Sequence, residues 1–331
     1  MTHPRLVSAW TAGLAIAALA SLGATAQPSM DSSRPVTLIV PFPAGGPSDA
    51  LARALGQGMS AHLKQSVVVE NVSGASGTIG LVRLVKSSPD GTTIGFGTVG
   101  THVANAALFK QLPYDPLADF APIGLAGTAP IILAGRPTLP ATDLREFIAY
   151  AAVNPSKTTY GSAGVGSISH FACVVLFAAL KQNITHVPYR GVAPAMNDLM
   201  GGHIDVMCDQ TTTALPQVTG GKIKALAVLT DQALPQLPGV ATAASAGYGD
   251  VNVRSWNAFF APKGTPTAAM QRLNDALRAA AADPALQRQM QAVGVELPKS
   301  DGLLPGAVTQ LIEQGLKRDV PALKARGEYL D

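Results

Sequence analysis

The amino-acid sequence predicts an α/β protein with two lobes, each built on a mainly parallel sheet. Short apolar runs typical of buried strands alternate with longer stretches whose apolar residues recur every three or four positions, as on one helical face. This alternation restarts near residue 131, and the chain after about residue 266 is mainly helical. The pattern is typical of βαβ units around parallel sheets, with the C-terminal helices completing the first lobe.

The first strand and helix show the pattern most clearly. Val36–Val40 is an apolar, β-branched run typical of a buried strand. After a glycine-proline loop, Leu51, Leu55, Met59 and Leu63 recur every four residues. This spacing predicts a helix that buries one face against the sheet.

The restart near residue 131 sets the predicted domain limits. We predict that residues 34–128 and 256–331 form the first lobe and that residues 129–255 form the second. The chain is expected to cross between the lobes near residues 125–131 and again near residues 251–262.

The first 26 residues have the features of a secretory signal peptide. Arg5 gives a weakly basic start, and an apolar stretch follows from Ala9 to Leu22. Ala24-Thr25-Ala26 then has the small-x-small pattern of a cleavage site, so cleavage after Ala26 is expected. A membrane anchor is the alternative, but about 14 apolar residues fall short of the roughly 20 that span a bilayer. We therefore expect an exported protein.

Composition and motifs argue against several classes of function. The formal net charge is only +3, and no basic run contains interleaved aromatic residues, so nucleic acid is not an expected partner. No H-E-x-x-H, Walker or G-x-S-x-G motif occurs, and the histidines have no neighbouring carboxylate pair. We expect no metal, no cofactor and no catalytic activity.

The two cysteines leave two possibilities open. Cys173 lies in an apolar helical run, and Cys208 lies at the end of an apolar strand. An oxidising compartment would allow them to pair. We predict two separate buried thiols, with a disulfide as the alternative.

Three glycine-rich loops between a strand and a helix carry the candidate binding residues. Glycine lets the backbone approach a ligand closely, and the N-terminus of the following helix offers free N–H groups to an anion. The loops are Pro41–Asp49, Asn71–Gly80 and Tyr160–His170. Because such loops follow the carboxyl ends of parallel strands in both lobes, they predict an anion-binding cleft between the lobes.

For two residues the sequence leaves two interpretations of their role open. His170 either has a role at the site, where it lines the cleft or steadies the serine-rich loop, or it caps or packs within the first turn of its helix. Asp209 either faces the cleft or simply ends its strand. Both interpretations remain open on the sequence.

Four motifs in order resemble one protein family. They are Pro41–Asp49, Asn71–Gly80, Tyr160–His170, and the stretch from His186-Val187-Pro188-Tyr189-Arg190-Gly191 through Gly202-His203-Ile204-Asp205. Together they resemble the Bug family, the extracytoplasmic solute receptors of tripartite tricarboxylate transporters. The resemblance covers residues 34–330.

The resemblance implies a type II periplasmic-binding-protein fold, with crossing hinge segments and two lobes that close on a carboxylate. It also implies a periplasmic location, a monomer and membrane permease subunits as partners. A receptor for a membrane signalling partner and a secreted hydrolase are the alternative functions. The predicted ligand-binding residues are Phe42, Pro43, Ala44, Gly45, Gly46, Ser48, Asp49, Ser76, Gly77, Thr98, Ser162, Ala163, Gly164, Ser167, Ser169, His170 and Asp209.

The chain departs from the family pattern at two places. Val72 stands where many members have a basic residue, and Cys173-Val174-Val175 stands where an acidic residue is common. Both differences remove charge. They suggest a monocarboxylate with an apolar or aromatic body.

Overall fold

The computed structural model describes residues 30–154, 157–299 and 301–324 of the protein. The predicted signal peptide, residues 1–26, lies outside these ranges. Among the described residues, no helix is long and apolar enough to cross a membrane. No group of three His, Cys, Asp or Glu side chains within these ranges could hold a metal ion.

Strands and helices alternate through most of the chain, as the sequence predicts. The strands are β1 (Val36–Val40), β2 (Val67–Asn71), β3 (Thr93–Thr98), β4 (Phe120–Gly135), β5 (Thr159–Ser162), β6 (Thr185–Pro188), β7 (Val206–Gln210), β8 (Lys224–Val228) and β9 (Arg254–Pro262). The helices are α1 (Pro47–Leu63), α2 (Thr78–Val85), α3 (Asn105–Leu108), α4 (Leu144–Val153), α5 (Ile168–Ala179), α6 (Val192–Gly201), α7 (Thr211–Thr219), α8 (Thr267–Ala282), α9 (Pro284–Ala292) and α10 (Pro305–Lys324).

All nine strands belong to one curled sheet, in which the order is β2-β1-β3-β9-β4-β7-β5-β6, with β8 also paired to β4. We call the part built on β1, β2 and β3 the first lobe, and the part built on β5, β6, β7 and β8 the second lobe. Within each lobe β1 pairs in parallel with β2 and β3, and β5 pairs in parallel with β6 and β7. The carboxyl ends of the parallel strands therefore face the same edge of each half-sheet.

Two antiparallel strands connect the lobes. β4 pairs with β9 from Phe120 to Pro130, then with β7 from Ile131 to Gly135 and with β8 from Ile132 to Gly135. The β4–β9 ladder contains two register shifts, between Pro122 and Gly124 and between Leu125 and Gly127. Irregularities of this kind bend and twist a strand locally, so β4 can serve both half-sheets. The residue limits that the sequence gives for the lobes stay a prediction.

The apolar face of α1, which the sequence predicts, packs into the core of the first lobe. Leu51, Leu55, Met59 and Leu63 of α1 are all buried in one apolar core with the sheet. Burying each side chain stabilises the fold by about 1.5–3 kcal/mol. α8, from the C-terminal part of the chain, packs beside α1 at Gly58, so the C-terminal helices complete the first lobe.

The second lobe corrects the prediction about the cysteines. Cys173 on α5 and Cys208 on β7 form a disulfide, with a Cα–Cα distance of 5.4 Å. The sequence placed both residues in buried elements but did not show that the helix presents Cys173 to the strand that carries Cys208. The bridge ties the helix after the Tyr160–His170 loop to the strand that ends at Gln210.

Candidate functional site

The predicted loops meet at the cleft between the lobes. The Ser76 hydroxyl of the first lobe donates a hydrogen bond to the Val165 carbonyl of the second. On the other side of the cleft, Pro43 lies against Gly191, at the loop between β6 and α6. Two separate contacts thus bring the loops of the two lobes together, around the space that the carboxyl ends of β1 and β5 face.

The Pro41–Asp49 loop is shaped by Asp49 itself. The Asp49 carboxylate accepts hydrogen bonds from the Gly45 N–H at 3.0 Å, from Arg53 Nε at 3.0 Å and from Asn71 Nδ2 at 2.9 Å. Asn71 Nδ2 also donates to the Phe42 carbonyl at 3.0 Å. Burial alone would raise the pKa of Asp49, but hydrogen bonds from Arg53, Gly45 and Asn71 outweigh it and lower the pKa. Asp49 and Arg53 therefore form an ion pair, and the hydrogen bonds of Asp49 fix the conformation of the loop.

The start of α1 has no side-chain cap. Gly46 is the N-cap, and no side chain bonds to the N–H groups of the first turn. Ser48 is buried inside the helix, where its hydroxyl lies 3.5 Å from Asn257 Oδ1. The first-turn N–H groups of a helix have no intrahelical partner, so they stay available to a ligand here.

The Asn71–Gly80 loop contains a run of unusual backbone conformations. Gly74, Ala75, Ser76 and Gly77 have φ angles of 131°, 44°, 55° and 88°. Left-handed conformations at residues other than glycine cost on the order of 1 kcal/mol or more each, so Ala75 and Ser76 are strained. Asn105 Nδ2 donates to the Ser76 carbonyl at 3.1 Å and helps to hold this conformation. In this conformation the Ser76 hydroxyl reaches the Val165 carbonyl of the second lobe.

The Tyr160–His170 loop is held by its own serines. The Ala163 N–H donates to Ser169 Oγ at 2.8 Å, and the Gly164 N–H donates to Ser162 Oγ at 3.1 Å. Ser167 is the N-cap of α5 and accepts the His170 N–H at 3.2 Å. Several amides of the loop are thus bonded within the loop and are not presented to a ligand.

His170 packs within the first turn of its helix and also bonds to the serine-rich loop. It is buried in the first turn of α5, and its Nδ1 accepts the Gly166 N–H at 3.3 Å. Its ring stacks on His186, with 4.3 Å between the ring centroids. Burial lowers the pKa of His170 to about 3, with a further contribution from His186, so the ring is neutral at physiological pH. His170 steadies the loop from behind.

The predicted residue Thr98 lies beside two polar residues of β9, Asn257 and Ser255, that the sequence did not indicate. Thr98 lies opposite Asn257 in the β3–β9 ladder, and both are buried. Ser255, two residues before Asn257, is also buried, and its Oγ has no hydrogen-bond partner among the described residues. Asn257 and Ser255 lie on β9, which follows β3 by more than 150 residues, so local sequence patterns did not predict them.

Asp209 lies at the end of β7, just before α7. It is 1% exposed, and Thr213 donates a hydrogen bond to Oδ2, but Oδ1 has no partner among the described residues. Burial raises the pKa of Asp209 to about 7, although hydrogen bonds from Thr213 and Gln210 oppose the shift. The neighbouring Gln210 is also buried with its Oε1 unpartnered in the described part of the chain. Two unsatisfied buried acceptors at one strand end are typical of a site that a ligand or water completes.

Gly95–Gly100 matches the Gly-x-Gly-x-x-Gly spacing of dinucleotide-binding loops. However, Gly95 and Gly97 lie inside β3 and not in a loop after it. A Cβ at Gly95 would lie 2.3 Å from Leu84 Cδ2, and a Cβ at Gly97 would lie 2.4 Å from His102 Cε1. These glycines therefore make room for packing, and the spacing does not mark a nucleotide site.

None of the predicted site residues is a lysine or an arginine. Among the described residues, four helices instead begin at the cleft loops without a side-chain cap: α1 after Gly46, α2 after Gly77, α6 after Gly191 and α7 after Gln210. The aligned peptide dipoles place a partial positive charge at each of these ends. The site can therefore attract an anion through backbone groups alone.

Comparison with known proteins decides the family. The family model "Tripartite tricarboxylate transporter family receptor", TctC, matches residues 51–327. The chain belongs to this family. A protein of Agrobacterium vitis, described as the UPF0065 protein in the TAR-I ttuE-ttuC' intergenic region, is 36% identical over 305 residues, which is 92% of this chain and 88% of the relative. Protein BugT of Bordetella pertussis is 32% identical, covering 77% of this chain and 79% of its own length.

Solved structures of TctC-type proteins share the fold. The periplasmic binding protein BugD has a TM-score of 0.86 and 38% identity, covering 89% of this chain and 98% of its own. MatC from Rhodopseudomonas palustris, with bound malate, has a TM-score of 0.84 and 36% identity, covering 88% of this chain and 99% of its own. A second R. palustris protein, determined with adipate, has a TM-score of 0.84 and 32% identity, covering 88% of this chain and 98% of its own. The predicted family, fold class and receptor function are confirmed.

Proposed function

We propose that this TctC-family chain is a periplasmic receptor that binds a small organic carboxylate between its lobes and delivers it to membrane permease subunits. The observation that carries the proposal is the set of uncapped helix starts after Gly46, Gly77, Gly191 and Gln210 at one cleft. The N–H groups at a helix start that have no intrahelical partner form a favourable binding site for a carboxylate. The malate and adipate held by two relatives support the same ligand class.

The proposed mechanism is closure of the two lobes on the ligand. In the closed state the ligand contacts loops of both lobes, so binding shifts the population towards closure. β4 and β9 are the segments that bend, since they carry the chain between the half-sheets. The closed monomer then presents a combined surface of both lobes to the permease.

The proposed ligand is a monocarboxylate with an apolar or aromatic body. Val72 packs against the apolar core of the first lobe, and Cys173 is bonded to Cys208. Neither position therefore offers a charge to a second or third carboxylate. The neutral side chains of Thr98, Asn257 and Ser162 are compatible with one anionic group held by hydrogen bonds.

A thermal-shift screen of residues 27–331 tests the proposal. A ligand at 100 times its dissociation constant stabilises the folded state by about 2.7 kcal/mol, which raises the melting temperature of a chain this size by a few degrees. The panel pairs each carboxylic acid with its methyl ester and its primary amide. Selective shifts by the acids support the proposal. Shifts by the esters or amides without shifts by the acids contradict it.

A further inference from the structure

One glycine of the second lobe lies directly against three residues of the first lobe. Gly166 belongs to the loop before α5 and has a φ of 80°. A Cβ at this position would lie 3.0 Å from Ser76 Oγ, 3.2 Å from Leu108 Cδ1 and 3.3 Å from Asn105 Oδ1. The backbone at Gly166 is therefore in close contact with the first lobe, on the same side of the cleft as the bond from Ser76 to Val165.

Apolar packing extends this contact. Leu108 belongs to a small buried cluster with Ala104, Ala107 and Leu323, and Phe171 of α5 packs against this cluster. The second lobe thus meets the first through both the loop before α5 and the first turns of the helix.

The polar part of the contact depends on the conformation of Ser76. Ser76 has a φ of 55°, and its hydroxyl donates to the carbonyl of Val165, the residue before Gly166. A left-handed conformation is unfavourable for serine, so it persists only where other interactions hold it. The Asn105 side chain supplies such an interaction, because its Nδ2 donates to the Ser76 carbonyl at 3.1 Å.

Asn105 is fixed from within the first lobe. It lies on α3, is fully buried, and its Nδ2 also lies 3.4 Å from Tyr114 Oη. Tyr114 donates its own hydrogen to the Thr101 carbonyl at 2.6 Å, so its oxygen is free to accept from Asn105. Asn105 Oδ1 has no hydrogen-bond partner in the described part of the chain. The hydrogen bonds of this amide therefore serve to orient it and to hold the Ser76 turn.

We propose that Asn105 is a positioning residue for ligand binding, which holds the Ser76 turn in the conformation that reaches the second lobe and thereby stabilises the closed state. Asn105 acts through Ser76 and does not contact the ligand. This inference rests on the proposed function, since it concerns closure around a bound carboxylate. A contact that holds the closed state slows opening, so its loss is expected to raise koff and to leave kon nearly unchanged.

Asn105→Leu tests the proposal in residues 27–331. The probe is the best-binding acid of the thermal-shift panel, which includes malate, adipate and benzoate. Leucine has nearly the shape of asparagine but no donor, so the Ser76 carbonyl loses its hydrogen bond. Loss of one neutral hydrogen bond is expected to weaken binding about fivefold, through koff.

Stopped-flow fluorescence of Trp256 measures both rate constants. Trp256 is the only tryptophan in residues 27–331. It belongs to the apolar cluster of the first lobe against which Ile168 of the second lobe packs, so its surroundings are expected to change on closure. Tyr114→Phe is a milder second variant, because it keeps the ring and removes only the acceptor that orients Asn105. It is expected to raise koff about twofold, with kon unchanged.

Asn274→Leu is the matched control. Asn274 Nδ2 also holds backbone carbonyls, those of Ile123 at 2.6 Å and Leu303 at 2.7 Å, but none of these residues belongs to the second lobe. This variant is expected to lower the melting temperature and to leave koff unchanged. An equal rise of koff in Asn274→Leu and Asn105→Leu would show that general destabilisation, and not the Ser76 turn, is responsible.

The outcomes separate this inference from the proposed function. If no acid of the panel binds wild type, the proposed function fails, and this inference fails with it. If wild type binds but koff of Asn105→Leu is unchanged, or the loss lies in kon, only this inference is overturned. Combining Asn105→Leu with Ser76→Ala is expected to add no loss beyond Ser76→Ala alone, because both remove the same contact. Additive losses contradict the positioning role of Asn105.

Discussion

Pro43 and Gly191 touch across the cleft so closely that a methyl group on Gly191 would require Pro43 to shift by a few tenths of an ångström. A Cβ at Gly191 would lie 3.0 Å from Pro43 Cγ, and Gly191 also has a φ of 116°. The two residues come from different lobes, so this contact belongs to the closed arrangement of the loops.

We predict that Gly191→Ala weakens ligand binding by about tenfold, which corresponds to about 1.4 kcal/mol. The new methyl group opposes the approach of the rigid Pro43 ring, and closure loses free energy. Gly247→Ala is the matched control, since Gly247 has a φ of 98° but open space around its Cβ position. Isothermal titration calorimetry measures both variants. An equal loss of affinity in the two would show that backbone strain, and not the contact with Pro43, is responsible.

The hydrogen bond from Ser76 to the Val165 carbonyl gives a second prediction. Ser76→Ala removes this bond between the lobes but keeps the loop backbone. A neutral hydrogen bond contributes about 1 kcal/mol, so ligand affinity is expected to fall about fivefold. Ser73→Ala, at an exposed position in the same loop, is expected to leave the affinity unchanged. Unchanged affinity in Ser76→Ala would mean that the bond adds nothing to closure.

The Cys173–Cys208 disulfide gives a third prediction. It closes a loop with a sequence separation of 35 residues, for which chain entropy gives a stabilisation of about 3–4 kcal/mol. Replacing both cysteines by alanine is expected to lower the melting temperature by several degrees under oxidising conditions. Chemical reduction is expected to destabilise wild type and to have no effect on the double variant. A wild-type melting temperature equal to that of the double variant would count against the bridge.

Asp209 gives a prediction about pH. Its folded pKa is about 7, above its ordinary value of 3.8, so the unfolded chain releases the proton at lower pH than the folded chain does. The folded protein therefore loses stability, relative to an uncharged side chain, as pH rises from about 4 to about 7. Asp209→Asn removes this loss.

We expect Asp209→Asn to gain stability relative to wild type as pH rises through that window, by at most about 4 kcal/mol above pH 7. The buried histidines also titrate in acid, but they are the same in both proteins and cancel in the difference. Chemical denaturation at pH 4, 5.5 and 8 measures it. A difference that does not depend on pH would show that Asp209 is ionised normally in the folded protein.

Much of the site was predictable because it depends on chain direction. A strand followed by a glycine-rich loop and a helix fixes which sheet edge the loop occupies, so Gly45, Ser76 and Ser162 were placed at one cleft from sequence alone. The face of α1 was predictable for a similar reason, because a period of about four residues identifies its buried side.

Other parts of the site depend on contacts between distant segments. Asn257 and Ser255 lie on β9, which pairs with β3. The whole second lobe separates these two strands in the sequence. The Cys173–Cys208 bridge depends on the rotation of α5 about its axis, which an almost wholly apolar helix does not reveal. The contacts of Asp49 with Arg53 and Asn71 join segments that are apart in sequence, so its role in holding the loop could not be predicted locally.

The course of β4 has a consequence for how the protein unfolds. This one strand is a member of both half-sheets, with β9 beside its first part and β7 and β8 beside its last. If one lobe melted, β4 would fray and the other lobe would lose the backbone hydrogen bonds that β4 supplies. The two lobes are therefore not separate cooperative units, and calorimetry should record one melting transition in which both disappear together.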